Sequence, residues 1–238
     1  MVNWQFIFED LSDNINFWSV QGPDSRRLLA SYLKDDMTSL KYYHFMENEA
    51  GGIPIVLSRT GFTGELGYEI FADSSRIGQI VEDLLMVGKK LGVRVIESDV
   101  TLESIPTEKG LITARDFTGC NPLEMDMEWS VAWDKPKFIG KEKLIKVKEE
   151  GPERKLIGFV ADTSDVDIEN DSLVKIKDRV IGRVTTANYG YTVEENIGYC
   201  LIESQYAQEG SRVSVVIGDD EIEITLCDRI FYDRIAIA

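Results

Sequence analysis

IPIVLSRTGFTGELGYEIF, residues 53–71, sets two apolar runs on either side of a polar, glycine-bearing loop. Residues 53–57 and 68–71 read as strands, and Gly61, Gly64 and Gly67 fall between them. A plain hairpin needs only a two-residue turn. This connection is longer, and long loops on rigid elements often carry function, although a surface turn satisfies the same pattern. Downstream, Ile77, Ile80, Val81, Leu84, Leu85 and Leu91 recur at helical spacing, which predicts a helix from a cap at Ser74 or Ser75 to about Gly92. Upstream, WQFIFEDL and INFWSV read as strands, and Pro23 opens a helix over DSRRLLASYL. The first region is thus a sheet with helices.

VRVIES reads as one more strand, and DVTLESIPTEKGLI begins like a helix that Pro106 kinks or ends. Residues 140–149 form a short charged helix, and the polar EEGPER, residues 149–154, is the linker candidate. Beyond it, RKLIGFVAD, LVKIKDRVIGRVTTAN, ENIGYCLIE and SRVSVVIGDDEIEITLCD are β-like, with turns at 177–179 and 218–220. Short strands without helix indicate a small barrel or sandwich. The organisation expected is α+β: a central antiparallel sheet region with helices over residues 1–150, then an all-β domain over 151–238.

Composition narrows the function classes. The chain has 238 residues, 43% hydrophobic and 10% aromatic, enough for a real core. A net charge of −16 weighs against nucleic acid and against anionic membranes. No apolar run reaches a membrane span, and no basic-then-apolar leader opens the chain, so a cytoplasmic location is expected. Cys120, Cys200 and Cys227 lie far apart without CxxC spacing, which disfavours disulfides and a metal site. The single histidine, His44, sits among aromatics and reads as a partly buried ring rather than a catalytic base. GxSxG, GxxxxGK[ST] and GxGxxG are absent.

Five segments along residues 17–233 then converge on one family. SRTGFTGELGYEI resembles the SRTGYTGExGYEI segment of the glycine cleavage T-protein family, the folate-dependent aminomethyltransferases. Its relatives include folate-dependent demethylases such as dimethylsulfoniopropionate demethylase. SVQGPDSRRLL is similar to the family's LQGP segment, and NPLEMDMEWSVAWDKPKFIGKEKL to its PLExGLxWxVxxDKxxFIGKExL block. IGRVTTANYGYTVEENIGYCLI and FYD resemble its C-terminal barrel and tail.

The resemblance implies a C-terminal β-barrel and a tetrahydrofolate cofactor. It implies that Glu69 reads the pterin edge, since a carboxylate accepts two parallel hydrogen bonds from amine and ring N–H groups. It places Phe62 where the family has a stacking tyrosine, Gly64 in the close-approach loop, Trp129 beside folate and Glu108 in a kept glutamate position. A strand-edge glutamate and a core tryptophan satisfy the same residues. Pro106 stands where the family has an arginine, removing a charge and a donor. The family's catalytic aspartate lies ahead of the LQGP segment, and no residue of this sequence inherits it. The catalytic residue is therefore unknown. The expected partners are a companion chain supplying the N-terminal domain, or a homo-oligomer, together with a small-molecule methyl donor. Trp4, Phe6, Phe8, Phe17 and Trp18 form the apolar surface expected to meet that partner. Two alternatives stand beside this reading: a non-catalytic folate-binding or regulatory protein, and a ligand-free assembly module.

Overall fold

The computed structural model describes residues 7–163 and 167–232, which fall into two compact units, Met1–Glu97 and Ser98–Ala238. In the first unit, β1 (Ile15–Gln21), β2 (Phe45–Ala50), β3 (Ile53–Ser58) and β4 (Gly67–Asp73) form one antiparallel sheet in the order β1-β4-β3-β2. Strand alternation sorts the side chains. Ile53, Ile55 and Leu57 of β3 and Tyr68, Ile70 and Ala72 of β4 point to one face and are buried there. Helices α1 (Ser25–Ala30) and α2 (Ile77–Val87) cover that face with Leu28, Leu29, Ile77, Ile80 and Leu84.

Helix α2 starts later than its apolar spacing predicts. Asp73 Oδ1 accepts a hydrogen bond from Ser75 N at 2.9 Å, so the serines belong to a turn and Arg76 holds the cap position. A 3₁₀ turn over Gly88–Leu91 ends the helix. The expected strand VRVIES is absent: residues 93–97 run as coil, and Val95 and Ile96 stay exposed because among the described residues no strand lies beside them to complete a ladder. Of the WQFIFEDL strand, residues 4–6 lie outside the described residues and 7–11 are irregular.

The second unit opens with a π-helical turn, Val100–Ser104, that runs into α3 (Ile105–Glu108). Pro106 neither ends nor breaks this helix. Its ring lacks an N–H and would crowd the carbonyl of an ordinary preceding turn, and the wider π turn relieves both problems. Next come α4 (Ala114–Phe117), a 3₁₀ turn at Glu128–Ser130 and α5 (Lys141–Glu150), the charged helix expected from the sequence.

Residues 149–154 run from α5 into β5 (Arg154–Ala161), the first strand of the barrel. The others are β6 (Leu173–Ile176), β7 (Arg179–Gly190), β8 (Glu195–Glu203), β9 (Arg212–Ile217) and β10 (Asp220–Cys227). They close in the order β10-β5-β8-β7-β6-β9 around a core that includes Phe159, Val184, Val215 and Leu226. Closure leaves no free strand edge. The β6–β7 and β9–β10 hairpins turn at the places read from sequence, with Lys177 and Gly218 at positive φ. The all-β domain is a barrel, not a sandwich.

Candidate functional site

In the first unit the glycine loop, residues 59–66, is built on a side chain from β1. Gln21 Oε1 accepts from Thr63 Oγ1 at 2.9 Å, and Gln21 Nε2 donates to Ser19 Oγ at 2.7 Å. The same Nε2 lies 3.4 Å from the carbonyls of Thr60 and Tyr68. This packing accounts for two of the glycines. A Cβ at Gly61 or Gly67 would meet the Gln21 amide at 2.2 or 1.9 Å, so the room they provide is filled by the protein's own amide. Gly64, at φ +68, makes the left-handed turn of the loop. Gln21 sits in the QGP segment, just beyond the INFWSV run.

Register puts Glu69 in a defined row. Ser19 of β1 and Ser58 of β3 lie directly across from it, and Phe45 of β2 lies across from Ser58. The neighbouring row holds Phe17, Phe71, Val56 and Glu47. These rows form the face of the sheet away from α1 and α2. The adjacent Tyr68 and Ile70 are fully buried on the helix-covered side, and Glu69 is half-buried on the open side. Thr60 Oγ1 donates to Glu69 Oε2, and Ser58 Oγ lies 2.9 Å from Thr60 Oγ1. Glu69 Oε1 has no partner among the described residues. Phe17 and Phe71 stack with centroids 5.4 Å apart, and Phe62 on the loop is 40% exposed. One unit therefore brings together an oriented carboxylate with an open oxygen and exposed aromatic rings.

In the second unit Trp129 lies on the 3₁₀ turn and is 80% exposed, so it is no core tryptophan. Glu108 is 2% exposed, and its carboxylate is taken up within the unit. Oε1 accepts from Thr192 N at 2.5 Å and Val193 N at 3.3 Å, and Oε2 accepts from Thr192 Oγ1 at 2.7 Å. The Glu108 carbonyl takes the N–H groups of Phe231 and Tyr232. Glu108 thus fastens the β7–β8 loop and the C-terminal segment to α3.

Asp116, also fully buried, plays a similar part. It accepts from Thr185 Oγ1 at 2.7 Å and Thr186 Oγ1 at 2.8 Å, both on β7, and from Thr113 N at 2.7 Å. Burial, with Asp116 nearby, pushes the Tyr199 phenol well above its usual range, and the neutral hydroxyl lies 2.8 Å from the Thr107 carbonyl.

His44 is exposed, contrary to the partly buried ring expected. It follows Tyr43, whose positive φ turns the chain, and its Nδ1 lies 2.9 Å from the Tyr42 carbonyl. Phe8, Phe17 and Trp18 are exposed; Trp4 and Phe6 lie outside the described residues. Among the described residues no acidic, histidine or cysteine cluster has the makings of a metal site, and no helix is long and apolar enough to cross a membrane.

Comparison with known proteins gives a consistent result. The family described as GCVT N-terminal domain matches residues 3–135, and the glycine cleavage T-protein C-terminal barrel domain matches residues 154–233. An aminomethyltransferase of Thermoanaerobacter pseudethanolicus is 32% identical over 228 residues, 94% of this chain and 61% of that protein. One from Listeria monocytogenes is 34% identical over 221 residues, 91% of this chain and 59% of that protein. The crystal structure of glycine cleavage system aminomethyltransferase T from Bartonella henselae shares the fold, with a TM-score of 0.78 at 21% identity, over 91% of this chain and 59% of that one. The chain spans about three fifths of the length of the curated relatives it matches.

Proposed function

The chain belongs to the glycine cleavage T-protein family, and we propose that it is the folate-binding portion of a tetrahydrofolate-dependent one-carbon transferase. Glu69 carries the reading. Its Oε2 is held by Thr60 while Oε1 stays open, on a sheet face that also shows aromatic rings. An ion-like acceptor with one oxygen oriented and the other available suits the amine and ring N–H edge of a pterin. Burying that carboxylate against apolar surface alone would be costly. The residues present therefore fit the cofactor.

When bound, tetrahydrofolate supplies the nitrogen atoms that accept the one-carbon unit. The chain's residues bind and orient it. Glu69 accepts from the pterin, Phe62 offers a ring for stacking, and Gly64 shapes the loop so that its backbone can approach. Trp129 offers a second exposed ring. Glu108 acts at one remove, by holding the β7–β8 loop.

We place the catalytic carboxylate on a companion chain, since no segment here matches the family's catalytic one. The transferred group is a methyl or aminomethyl unit from a small-molecule donor. Catalysis by the completed protein would rest on alignment and on electrostatic stabilisation of charge at the reacting centre.

Calorimetry with tetrahydrofolate, on the chain with and without its companion, tests the reading. Glu69→Ala is expected to weaken binding by about 1–3 kcal/mol, the cost of one charge-assisted hydrogen-bonding partner. Equal binding by both proteins would take Glu69 out of the site. No binding by either, with the companion present, would favour the ligand-free assembly module. Binding without turnover in the completed protein would favour the non-catalytic folate binder.

A further inference from the structure

An acid that reads the edge of a ligand is only as selective as its side chain is fixed. A free glutamate stem turns about its side-chain bonds and can offer either oxygen in many directions. Immobilising a side chain of that kind at the moment of binding costs about two- to tenfold in affinity. On the open face of the first unit, part of that freedom is already removed.

Two hydroxyls remove it. Ser58 ends β3 directly across from Glu69, and Thr60 follows two positions on, so both hydroxyls reach the face on which Glu69 stands. All three side chains are partly buried. Thr60 Oγ1 donates to Glu69 Oε2, and Ser58 Oγ lies 2.9 Å from Thr60 Oγ1. The direction of this chain follows from its donors and acceptors. A carboxylate only accepts, and a hydroxyl has one proton to give. The Thr60 proton goes to Glu69, so Ser58 is the donor to Thr60. Each bond polarises the next in the same sense, toward the carboxylate.

Serine and threonine in turns and at element ends commonly bond to nearby backbone groups. Here neither hydroxyl has a backbone partner among the described residues. The Thr60 main chain is held separately, its carbonyl 3.4 Å from Gln21 Nε2, so the loop keeps its course without the hydroxyl. We infer that Thr60, backed by Ser58, is a positioning residue for the folate site. It fixes Glu69 through Oε2, so that Oε1, the oxygen without a partner among the described residues, presents its lone pairs to the N–H groups of the ligand. This role rests on Glu69 as the acid that reads the pterin. It gives the two hydroxyls no ligand contact of their own; they act through the carboxylate.

The test is a double-mutant cycle on the intact chain, read by calorimetry with tetrahydrofolate, with thermal melting to establish that each variant is folded. Thr60→Val keeps the outline of the side chain and removes the hydroxyl. It should weaken binding about fivefold, the cost of ordering Glu69 anew. Thr60→Ser keeps the hydroxyl and should stay within about twofold of the wild-type chain, inside the cost of one freed side chain. Ser58→Ala, one link further from the carboxylate, should cost less than Thr60→Val. On a Glu69→Ala background Thr60→Val should cost nothing more, because its effect passes through the carboxylate. Three outcomes would overturn the role of Thr60 alone. Glu69→Ala weakens binding while Thr60→Val does not; Thr60→Val costs as much with Glu69→Ala as without it, which would make Thr60 a direct contact; or Thr60→Ser loses as much as Thr60→Val. Wild-type affinity in Glu69→Ala, or no binding by the wild-type chain alone or with its companion, would overturn the reading of the site and the role of Thr60 with it.

Discussion

The two units treat their acidic side chains and strand edges in opposite ways. In the second unit the barrel closes on itself, and its buried carboxylates, Asp116 and Glu108, are taken up by hydroxyl and backbone donors. In the first unit the sheet stays open. One edge, β2, is partly covered where Lys34 N donates to the Glu49 carbonyl at 3.0 Å, but β1 keeps Ile15, Phe17 and Trp18 exposed. On that same sheet Glu69 keeps an oxygen without a partner among the described residues. A satisfied buried polar group rigidifies a fold, while a held but unsatisfied one is available to a ligand. The contrast gives Glu108 on α3 and Asp116 on α4 a structural part, and under the proposed function it leaves Glu69 for the ligand.

The largest effect expected is on turnover. The purified chain alone should form no measurable methyl- or methylene-tetrahydrofolate, since losing a preorganised charge typically costs about 10²–10³-fold and no segment of this sequence matches the family's catalytic one. Activity should appear when a chain carrying the remaining family domain is added. Robust turnover by this chain alone would break the division, because the open sheet would then need a catalytic acid of its own.

Stability effects come next. Glu108→Ala should destabilise the second unit by about 3 kcal/mol, as it strands the Thr192 and Val193 donors in a buried place, and urea unfolding measures it. A loss of folate affinity without a loss of stability would instead make Glu108 a direct ligand contact. Gly198→Ala probes the barrel wall. A Cβ there would lie 2.2 Å from the Thr186 carbonyl oxygen, a backbone atom with little freedom to move. Overpacking of this kind costs about 1–3 kcal/mol. Its melting temperature should fall while the Glu69-dependent affinity of the folded protein stays the same.

The smallest effect sharpens the contrast most. Trp129→Ala removes a large ring that is mostly exposed, so stability should change by less than about 0.5 kcal/mol. If folate affinity falls nonetheless, the ring contributes to binding. A drop of several degrees in melting temperature would show that it packs against something in solution.

Much of this molecule was legible along the chain. The hairpins at 177–179 and 218–220, the helix over Ile80 and Leu84, the charged helix α5 and the face on which Glu69 stands all follow from local rules. Turn chemistry, helical spacing and strand alternation act between residues a few positions apart. The glycine motif was visible as well, and so was the family resemblance it carried.

What the tertiary structure decided are the pairings across long sequence distance. Gln21 fills the space beneath Gly61 and Gly67 from some forty residues away, and nothing in the loop's own sequence names it. Glu108 and Asp116 find Thr192 in the β7–β8 loop and Thr185 and Thr186 on β7, from 69 to 84 residues further on, which turns two acids of reactive type into structural fastenings. VRVIES has the composition of a strand and lacks a neighbouring strand, so it is coil. Pro106 carries the chemistry of a helix breaker and is accommodated by a π turn. In each case the residue's own preference is worth about 1–3 kcal/mol, and partners supplied by the fold outweigh or satisfy it. Chemical type and local shape are written in the sequence; whether a polar group is spent inside the fold or left open to a ligand depends on which distant atoms the fold brings within 3 Å.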